Sequence, residues 1–416
     1  MRREIFIVEG FRTPFCKFGT DLSEEPIANL GISPSKAIFA STGIDPGEVD
    51  EVIFGCCMQP GNTIGNIARV IGVRSGVPVS APAVTVHRNC ASGFEAITYA
   101  IDKAAAYKGD VFLVGGVESM SQAPFLYSRQ AVKKFTNLAR SKTLLQKVKS
   151  TFKFRPSDFS PEVSLKLGLI DSLCDMGMGQ TAELIAREHG ISRKRQDDYA
   201  ELSHNKALAT TDLREKEIAP YHLTNDDCLR SPSGKVVTRD NGPRNDSDAR
   251  RLSKLRTIFD REGTVTAGNA SQVTDGGVAL LLMTEEGLRN TGATPLARIV
   301  DYAYAGCDPK RMGLGPIPAI SKLIHPGRKL LDNMDLIEVN EAFAAQVLAC
   351  IDELHIPIAK LNSLGGAIAL GHPLAATGAR LVLTLAKSLP RRQLNNGLAS
   401  LCVGGGQGGA IWIQKV

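Results

Sequence analysis

Tryptophan is almost missing from this 416-residue chain, with one at Trp412, and aromatic residues make up only 6% of it. A core must therefore rest on aliphatic and small residues, and a 43% hydrophobic content supplies enough for a large one. The nine cysteines are scattered and contain no Cys-x-x-Cys pair. That spacing argues for neither a zinc site nor a disulfide framework, and the odd number fits a reducing compartment. No apolar run reaches the ~18–20 residues needed to span a bilayer. A large excess of one charge is also lacking. The formal net charge of +6 suits an anionic small ligand and calls for no nucleic acid. Met1–Val8 enters a strand almost at once, and Ile413–Val416 carries no retention or peroxisomal address. We therefore expect no signal or transit segment and a cytoplasmic protein.

What the chain does have is alternation. Val49–Cys56 and Ala81–Val86 read as buried strands, and Asn62–Gly72 and Ala91–Tyr107 as helices. Asp110–Ser119 is a further strand running into glycines. This order is α/β, with helices crossing between buried strands. From Met120 the character changes. Pro124–Pro161 is polar and basic, with hints of short amphipathic helices, and between Arg129 and Arg155 every charged residue is basic. Asp175–Glu188 and Ser192–Thr210 read as stronger helices, the latter capped by Ser192, and Leu229–Asn245 reads as a loop. The α/β order resumes with strands in Gly276–Met283, Ala297–Ala305 and Met334–Asn340, the helix Glu341–Leu354, and strands in Gly397–Gly406 and Gly409–Gln414. Val49–Cys56 parallels Met334–Asn340, and Asp110–Gly116 parallels Gly397–Gly405. The parallel implies two similar α/β halves, each with a turn-and-helix unit between its paired strands. One turn holds Cys90 and the other His372, and face-to-face packing would bring the two turns to one site.

Cys90 stands where an apolar strand gives way to small residues and then to a helix. Helix N-terminal N–H groups and the dipole favour an anion, so a thiol there is expected to lose its proton more easily. A buried structural cysteine is the plain alternative. Three more stretches bracket a polar residue with small ones: Asn340-Glu-Ala-Phe343, Gly371-His372-Pro and Cys402-Val-Gly-Gly-Gly-Gln-Gly408. Each alone is weak, since an Asn after a strand is usually a cap and a glycine turn usually just a turn. Together they supply what carbon–carbon cleavage beside a thioester needs: a soft nucleophile, an acid/base, and donors for two oxyanions. Cys90 would be the nucleophile and His372 its base. Cys402 would protonate a carbanion, because a free thiol lies near ~8.5. The amides of Gly404 and Cys90 would form one oxyanion hole, and His372 with Asn340, through a water, the other.

These blocks resemble those of the thiolase family: Asn89-Cys90-Ala-Ser-Gly, Asn340-Glu-Ala-Phe, Gly371-His372-Pro…Thr377-Gly-Ala-Arg380 and the Cys402 block stand in family order. Gly263–Gly276 resembles the family's coenzyme A block. The resemblance implies two βαβαβαββ halves in a five-layered α-β-α-β-α arrangement, with a loop domain inserted between them. It places the first half in residues 1–120 plus 250–291, the loop domain in 121–249, and the second half in 292–416. It implies reversible thiolysis of 3-ketoacyl-CoA through an acyl-Cys90 intermediate, or condensation of two acetyl-CoA, with CoA as substrate and neither a metal nor a bound cofactor. Fatty-acid β-oxidation is the expected setting. A biosynthetic acetoacetyl-CoA thiolase and a non-catalytic CoA-binding scaffold are the alternatives, and Cys402 in place of a second histidine argues against a ketoacyl synthase. By resemblance Ser271 and Ala270 contact CoA, while Met178 and Phe343 line the pocket, core packing being the other reading for those two. A homodimer or homotetramer is implied. The basic stretch 129–155 is expected to be a solvated face, or to dock the anionic ADP end of CoA, the α-subunit of a fatty-acid oxidation complex or a membrane, and to decide which acyl chain reaches Cys90. Three departures stand out: Ala375 where many relatives have glycine, Thr257-Ile-Phe259-Asp in place of a Lys-Pro-x-Phe-like segment, and an excursion after Met120 longer than in short-chain biosynthetic relatives.

Overall fold

A computed structural model describes residues 3–60, 65–224, 232–324 and 329–416. The first half runs β1 (Ile5–Arg12), α1 (Ile27–Thr42), β2 (Glu51–Gly55), α2 (Ile67–Arg74), β3 (Ala83–Val86), α3 (Ser92–Ala105) and β4 (Val111–Ser119). An inserted stretch follows, with helices α4 (Arg129–Arg140), α5 (Leu144–Thr151), α6 (Met178–Glu188) and α7 (Arg193–Ala209). Then come β5 (Thr274–Thr284), β6 (Ala297–Gly306), α8 (Pro316–Leu323), β7 (Leu336–Val339), α9 (Ala344–Leu354), α10 (Leu374–Arg391), β8 (Asn396–Val403) and β9 (Gln407–Lys415).

The main strands lie in the order β7-β8-β9-β6-β1-β5-β4-β2-β3. The order reads the same outward from the β1–β6 seam, where Ile5–Ile7 pair antiparallel with Ala297–Ile299. On one side β1, β5, β4, β2 and β3 follow, and on the other β6, β9, β8 and β7. The expected duplication is thus present in the topology. The second half departs from it in one place: its third strand is reduced to a single parallel bridge between Ile337 and Leu361, where β2 and β3 pair over Val52–Gly55. Strands β4 and β5 are buried along their whole length, because helices cover both faces of the sheet. That is why they read as unbroken apolar runs rather than alternating ones.

Helices α1 and α2 cover the outer face of the first half, and α8 and α9 that of the second. Between the halves lie α3 and α10, packed on each other and on strands of both sides. The result is the five-layered arrangement. The two central helices meet at glycines: a Cβ on Gly93 would stand 2.7 Å from the Ala375 oxygen, and one on Gly378 2.8 Å from the Phe94 nitrogen. Only residues without a side chain allow that approach. It brings the starts of α3 and α10, and so the turns holding Cys90 and His372, side by side.

Several expected boundaries shift. Helix α2 starts at Ile67 behind an Asn66 cap, and residues 61–64, within or beside the expected helix Asn62–Gly72, lie outside the described residues. Helix α9 begins at Ala344 rather than Glu341, because Phe343 is extended and bridges Ala270. The region expected as the loop Leu229–Asn245 contains a strand, Pro232–Val237, paired antiparallel with Tyr221–Thr224, while 229–231 lie outside the described residues. Pro232 and Gly234 lie within that strand and not in an open loop. No helix among the described residues is long and apolar enough to cross a membrane.

The inserted stretch is joined to the core by buried charges. Arg12 on β1 pairs with Glu217 at 3.2 Å and with Asp240 at 2.6 Å, and Arg214 pairs with Asp240 at 2.7 Å. Glu341 accepts from Tyr199 and Ser203 of α7 at 3.0 and 2.6 Å, from Asn362 at 2.8 Å, and from the Ile368 N–H at 3.1 Å. In the Asn-Glu-Ala-Phe block, then, the glutamate anchors α7.

Candidate active site

Cys90 lies two residues before α3, at the end of a turn rather than in the helix. Asn89 takes φ +45°, a left-handed conformation that asparagine tolerates better than most residues. The turn is closed by bonds from Ala91 N–H to the Arg88 oxygen and from Ser92 N–H to the Asn89 oxygen, at 2.9 and 3.0 Å. Cys57 also donates its thiol to the Asn89 oxygen, at 3.1 Å. The backbone N–H groups of Gly404 and of Cys90 itself lie close enough to the Cys90 sulfur to favour its thiolate. Two backbone donors therefore already converge where an acyl oxygen on Cys90 would sit.

His372 sits ahead of α10 and is buried. Its Nδ1 lies 2.6 Å from Thr377 Oγ1, and that hydroxyl is 3.1 Å from the Pro373 oxygen. If the hydroxyl donates to the carbonyl it accepts from Nδ1–H, and this network assigns the tautomer that leaves Nε2 a bare acceptor. Nε2 is 3.4 Å from the Asn340 amide nitrogen. Asn340 is fully buried, and its Oδ1 has no partner. An orphaned buried oxygen beside the cavity fits an ordered water, as the second oxyanion hole requires.

Cys402 is the last but one residue of β8, buried, just before the Gly404–Gly406 turn. Cys90, His372, Cys402, Gly404, Ser271, Met178 and Phe343 all line one cavity of about 560 Å³. Asn340 reaches it through His372. Ala270 does not line it. Ala270 packs on Phe343, so its part is to shape the wall. Phe259, in the unusual Thr257–Asp260 segment, meets Phe343 edge-on with ring centres 6.3 Å apart.

Two expectations about acidity are overturned. Cys90 is half-buried by exposure, yet burial pushes its thiol up to about 11, with the Gly404 and Cys90 N–H groups pulling the other way. Cys402 is pushed well above the usual thiol range, by burial first and by neighbouring Cys90 second. His372 is pushed down to about 3 by burial and then by Arg380. The resting site is thus a neutral thiol facing a neutral imidazole. The helix end does not outweigh burial, because Cys90 precedes the helix and no cation among the described residues pairs with it.

A third expectation also fails. No residue of the basic stretch 129–155 lines the cavity. Its roof comes from Ser164 and Leu167–Leu173, further along the insertion. Sequence reading also missed Glu118. Buried at the end of β4, it accepts from the N–H groups of Cys57, Met58 and Ala375 at 3.2, 2.8 and 3.1 Å, and burial pushes its carboxyl up to about 7. It ties the loop beside Cys90 to the start of α10, which is also where Ala375 departs from glycine. An acid closing a nine-residue apolar strand was the available signal.

Paired halves with a cysteine turn, a histidine turn and a second cysteine by a glycine turn define a thiolase. Residues 5–286 match the thiolase N-terminal domain family and 293–415 the thiolase C-terminal domain family. The chain belongs to the thiolase family and is an acyltransferase. It is 39% identical to the mitochondrial 3-ketoacyl-CoA thiolase of Homo sapiens, across 99% of this chain and 98% of that one. It is 37% identical to a probable acetyl-CoA acyltransferase of Staphylococcus aureus strain COL, across 99% of both. Among solved structures, human mitochondrial 3-ketoacyl-CoA thiolase in complex with CoA superposes with a TM-score of 0.88 at 37% identity, over 100% of this chain and 98% of that one. The Bacillus anthracis acetyl-CoA acetyltransferase gives 0.88 at 35% identity, over 100% and 99%.

Proposed function

We propose that this thiolase cleaves 3-ketoacyl-CoA esters with CoA in fatty-acid β-oxidation, through an acyl-Cys90 intermediate. The observation that carries the reading is the convergence of two thiols, a bare imidazole nitrogen and two backbone N–H groups on one cavity. Cys90 Sγ attacks the 3-keto carbon while its proton passes to His372 Nε2. The new oxyanion meets the N–H groups of Cys90 and Gly404. The C2–C3 bond then breaks, leaving the enolate of acetyl-CoA, whose oxygen is held by His372 Nε2–H and an Asn340-bound water. Cys402 gives its proton to that carbon and regains one from incoming CoA. The CoA sulfur attacks the Cys90 thioester, acyl-CoA leaves, and Cys90 recovers its proton from His372. Condensation of two acetyl-CoA runs the same steps backwards. With both thiols neutral at rest, each deprotonation belongs to a bond-forming step.

Cys90→Ala is expected to lower thiolysis of acetoacetyl-CoA by roughly 10³-fold or more. Mass spectrometry of wild type after mixing should find an acyl group on Cys90. Turnover by Cys90→Ala would end the proposal, and a series of 3-ketoacyl-CoA lengths fixes the preferred chain.

We place the enzyme in the cytoplasm as a homodimer or homotetramer. Three cysteines in the cavity, Cys57, Cys90 and Cys402, need a reducing compartment to stay free. Strand β3 is the half-exposed edge of the main sheet, and its outer side has no strand partner among the described residues, which leaves an edge for a second copy. Cell fractionation and light scattering test these two points. Helices α4 and α5 are read as a docking surface for an anionic membrane. Phe152 and Leu144, 86% and 79% exposed, stand beside exposed lysines at 133, 142, 147 and 149. Flotation with anionic vesicles should be lost when those four lysines become Glu. Capture of an oxidation-complex α-subunit by protein that ignores vesicles would replace the membrane with that partner.

A further inference from the structure

The glycine turn after β8 supplies an oxyanion donor, yet nothing packs against its middle glycine. Gly405 takes φ +90° and Gly406 φ +77°, and no atom lies within 4 Å of where a Gly405 Cβ would stand. A peptide plane between glycines, free of packing, can flip and exchange the directions of its N–H and C=O. Here both ends of the plane joining Gly404 to Gly405 are held. The Gly404 oxygen accepts from Asn89 Nδ2 at 2.8 Å. The Gly405 N–H donates to Asp171 Oδ2, also at 2.8 Å.

The two holders come from opposite walls. Asn89 is the residue before the nucleophile, in its left-handed turn. Asp171 belongs to the inserted stretch. It is 6% exposed and sits in a small hairpin in which Ile170–Asp171 pair with Met176–Gly177. Its other carboxylate oxygen accepts from Leu173 N–H at 2.9 Å, and its backbone oxygen from Asp175 N–H at 2.8 Å. The hairpin is closed again by Met178 N–H to the Leu169 oxygen at 2.9 Å. The carboxylate is therefore rigidly mounted. A flipped plane would aim the Gly404 carbonyl oxygen at the Asp171 carboxylate and the Gly405 N–H at the hydrogens of the Asn89 amide nitrogen. Both ends resist the flip.

We propose that Asp171 and Asn89 clamp this peptide plane, and that Asp171 is a positioning residue through which the inserted roof fixes the Gly404 N–H at Cys90. Holding the plane restricts ψ of Gly404 and φ of Gly405, and so limits how far the adjoining plane that carries the Gly404 N–H can turn. The roof then has a part in the rate of acyl transfer as well as in covering the cavity. The inference rests on the roles proposed above for Cys90 and Gly404.

The test is steady-state thiolysis of acetoacetyl-CoA, with the rate of acyl-Cys90 formation, in wild type, Asp171→Ala, Asp171→Asn and Leu173→Ala. A clamp predicts that Asp171→Ala lowers kcat and the acylation rate roughly 10- to 100-fold, with KM moved by less than about threefold. Asp171→Asn, whose single carboxamide oxygen can accept the Gly405 N–H only by giving up the Leu173 N–H, should recover part of that loss. Leu173→Ala, which trims the roof and leaves the clamp, should change KM alone. If Asp171→Ala proves too unstable to purify, Asp171→Glu, which moves the carboxylate off the N–H, takes its place with the same expected split. An effect carried by KM alone, or an Asp171→Asn as slow as Asp171→Ala, would overturn the clamp. If Cys90→Ala keeps its turnover, the proposed function fails first. If Cys90→Ala is dead and Asp171→Ala keeps kcat, only the clamp fails.

Discussion

The insertion between β4 and β5 contains two regions of opposite character. Helices α4 and α5 bury only Ala131 between them and bring their aromatic residues together locally, Phe135 lying 4.9 Å from Phe154 and 5.8 Å from Phe159 by ring centres. Helices α6 and α7 bury residues along their length and are tied to the core through Glu341, while the segment after them is tied through Arg12 and Asp240. One connection thus carries a free-standing hairpin and a pinned arm. Only the pinned arm, at Met178, and the part leading into it reach the cavity. Length of insertion and influence on chemistry are therefore separate properties here, and the buried polar contacts, not the basic charge, mark where influence lies.

That contrast can be attacked from both sides. The largest effect is expected at Asp240. Asp240→Ala leaves Arg12 and Arg214 buried with a partner removed, and should cost about 3–5 kcal/mol in denaturant unfolding. A change below about 1 kcal/mol would mean that the arm is held some other way. Ser203→Ala removes one of the Glu341 bonds and should cost about 1–2 kcal/mol in the same measurement. The pinned arm also roofs the site, so the acidity of Cys90 reports on it. With that thiol raised to about 11, its alkylation by iodoacetamide should climb about tenfold per pH unit from roughly pH 7 to 10. A plateau below pH 8 would show a thiolate formed at rest, as the helix end alone had suggested. Least of all should the hairpin matter. Changing lysines 133, 142, 147 and 149 to Glu should move stability by no more than about 0.5 kcal/mol and leave both kcat and the alkylation profile in place. A fall in kcat would erase the distinction between the two regions.

How much of this is written in the chain follows the range of the interactions. Strands β2, β4, β7 and β8 are legible because each is a local apolar run ended by a glycine or a polar residue. The cavity's residues are legible because Cys90, Asn340, His372 and Cys402 sit in short blocks whose chemistry is interpretable before their distances are known. Asp171, Glu118 and Asp240 are not, since each is an ordinary acid whose meaning lies in a partner far away along the chain: Asp171 is 234 positions from Gly405. The acidity of Cys90 was misjudged for a related reason. A helix end is visible locally, whereas burial under a roof from the insertion is not. The missing third strand of the second half is equally hidden, because Lys360-Leu361 offers too few apolar residues to announce even the one bridge it makes.

The crossing of α3 and α10 has a consequence for how such a site tolerates change. The cysteine and the histidine belong to different halves, nearly three hundred residues apart, yet their separation depends on two absent methyl groups, at Gly93 and Gly378. The alignment of nucleophile and base is thus a mechanical tolerance set outside the cavity. A side chain at either crossing point would act as a shim, prising the halves apart and leaving every reactive group intact but out of range.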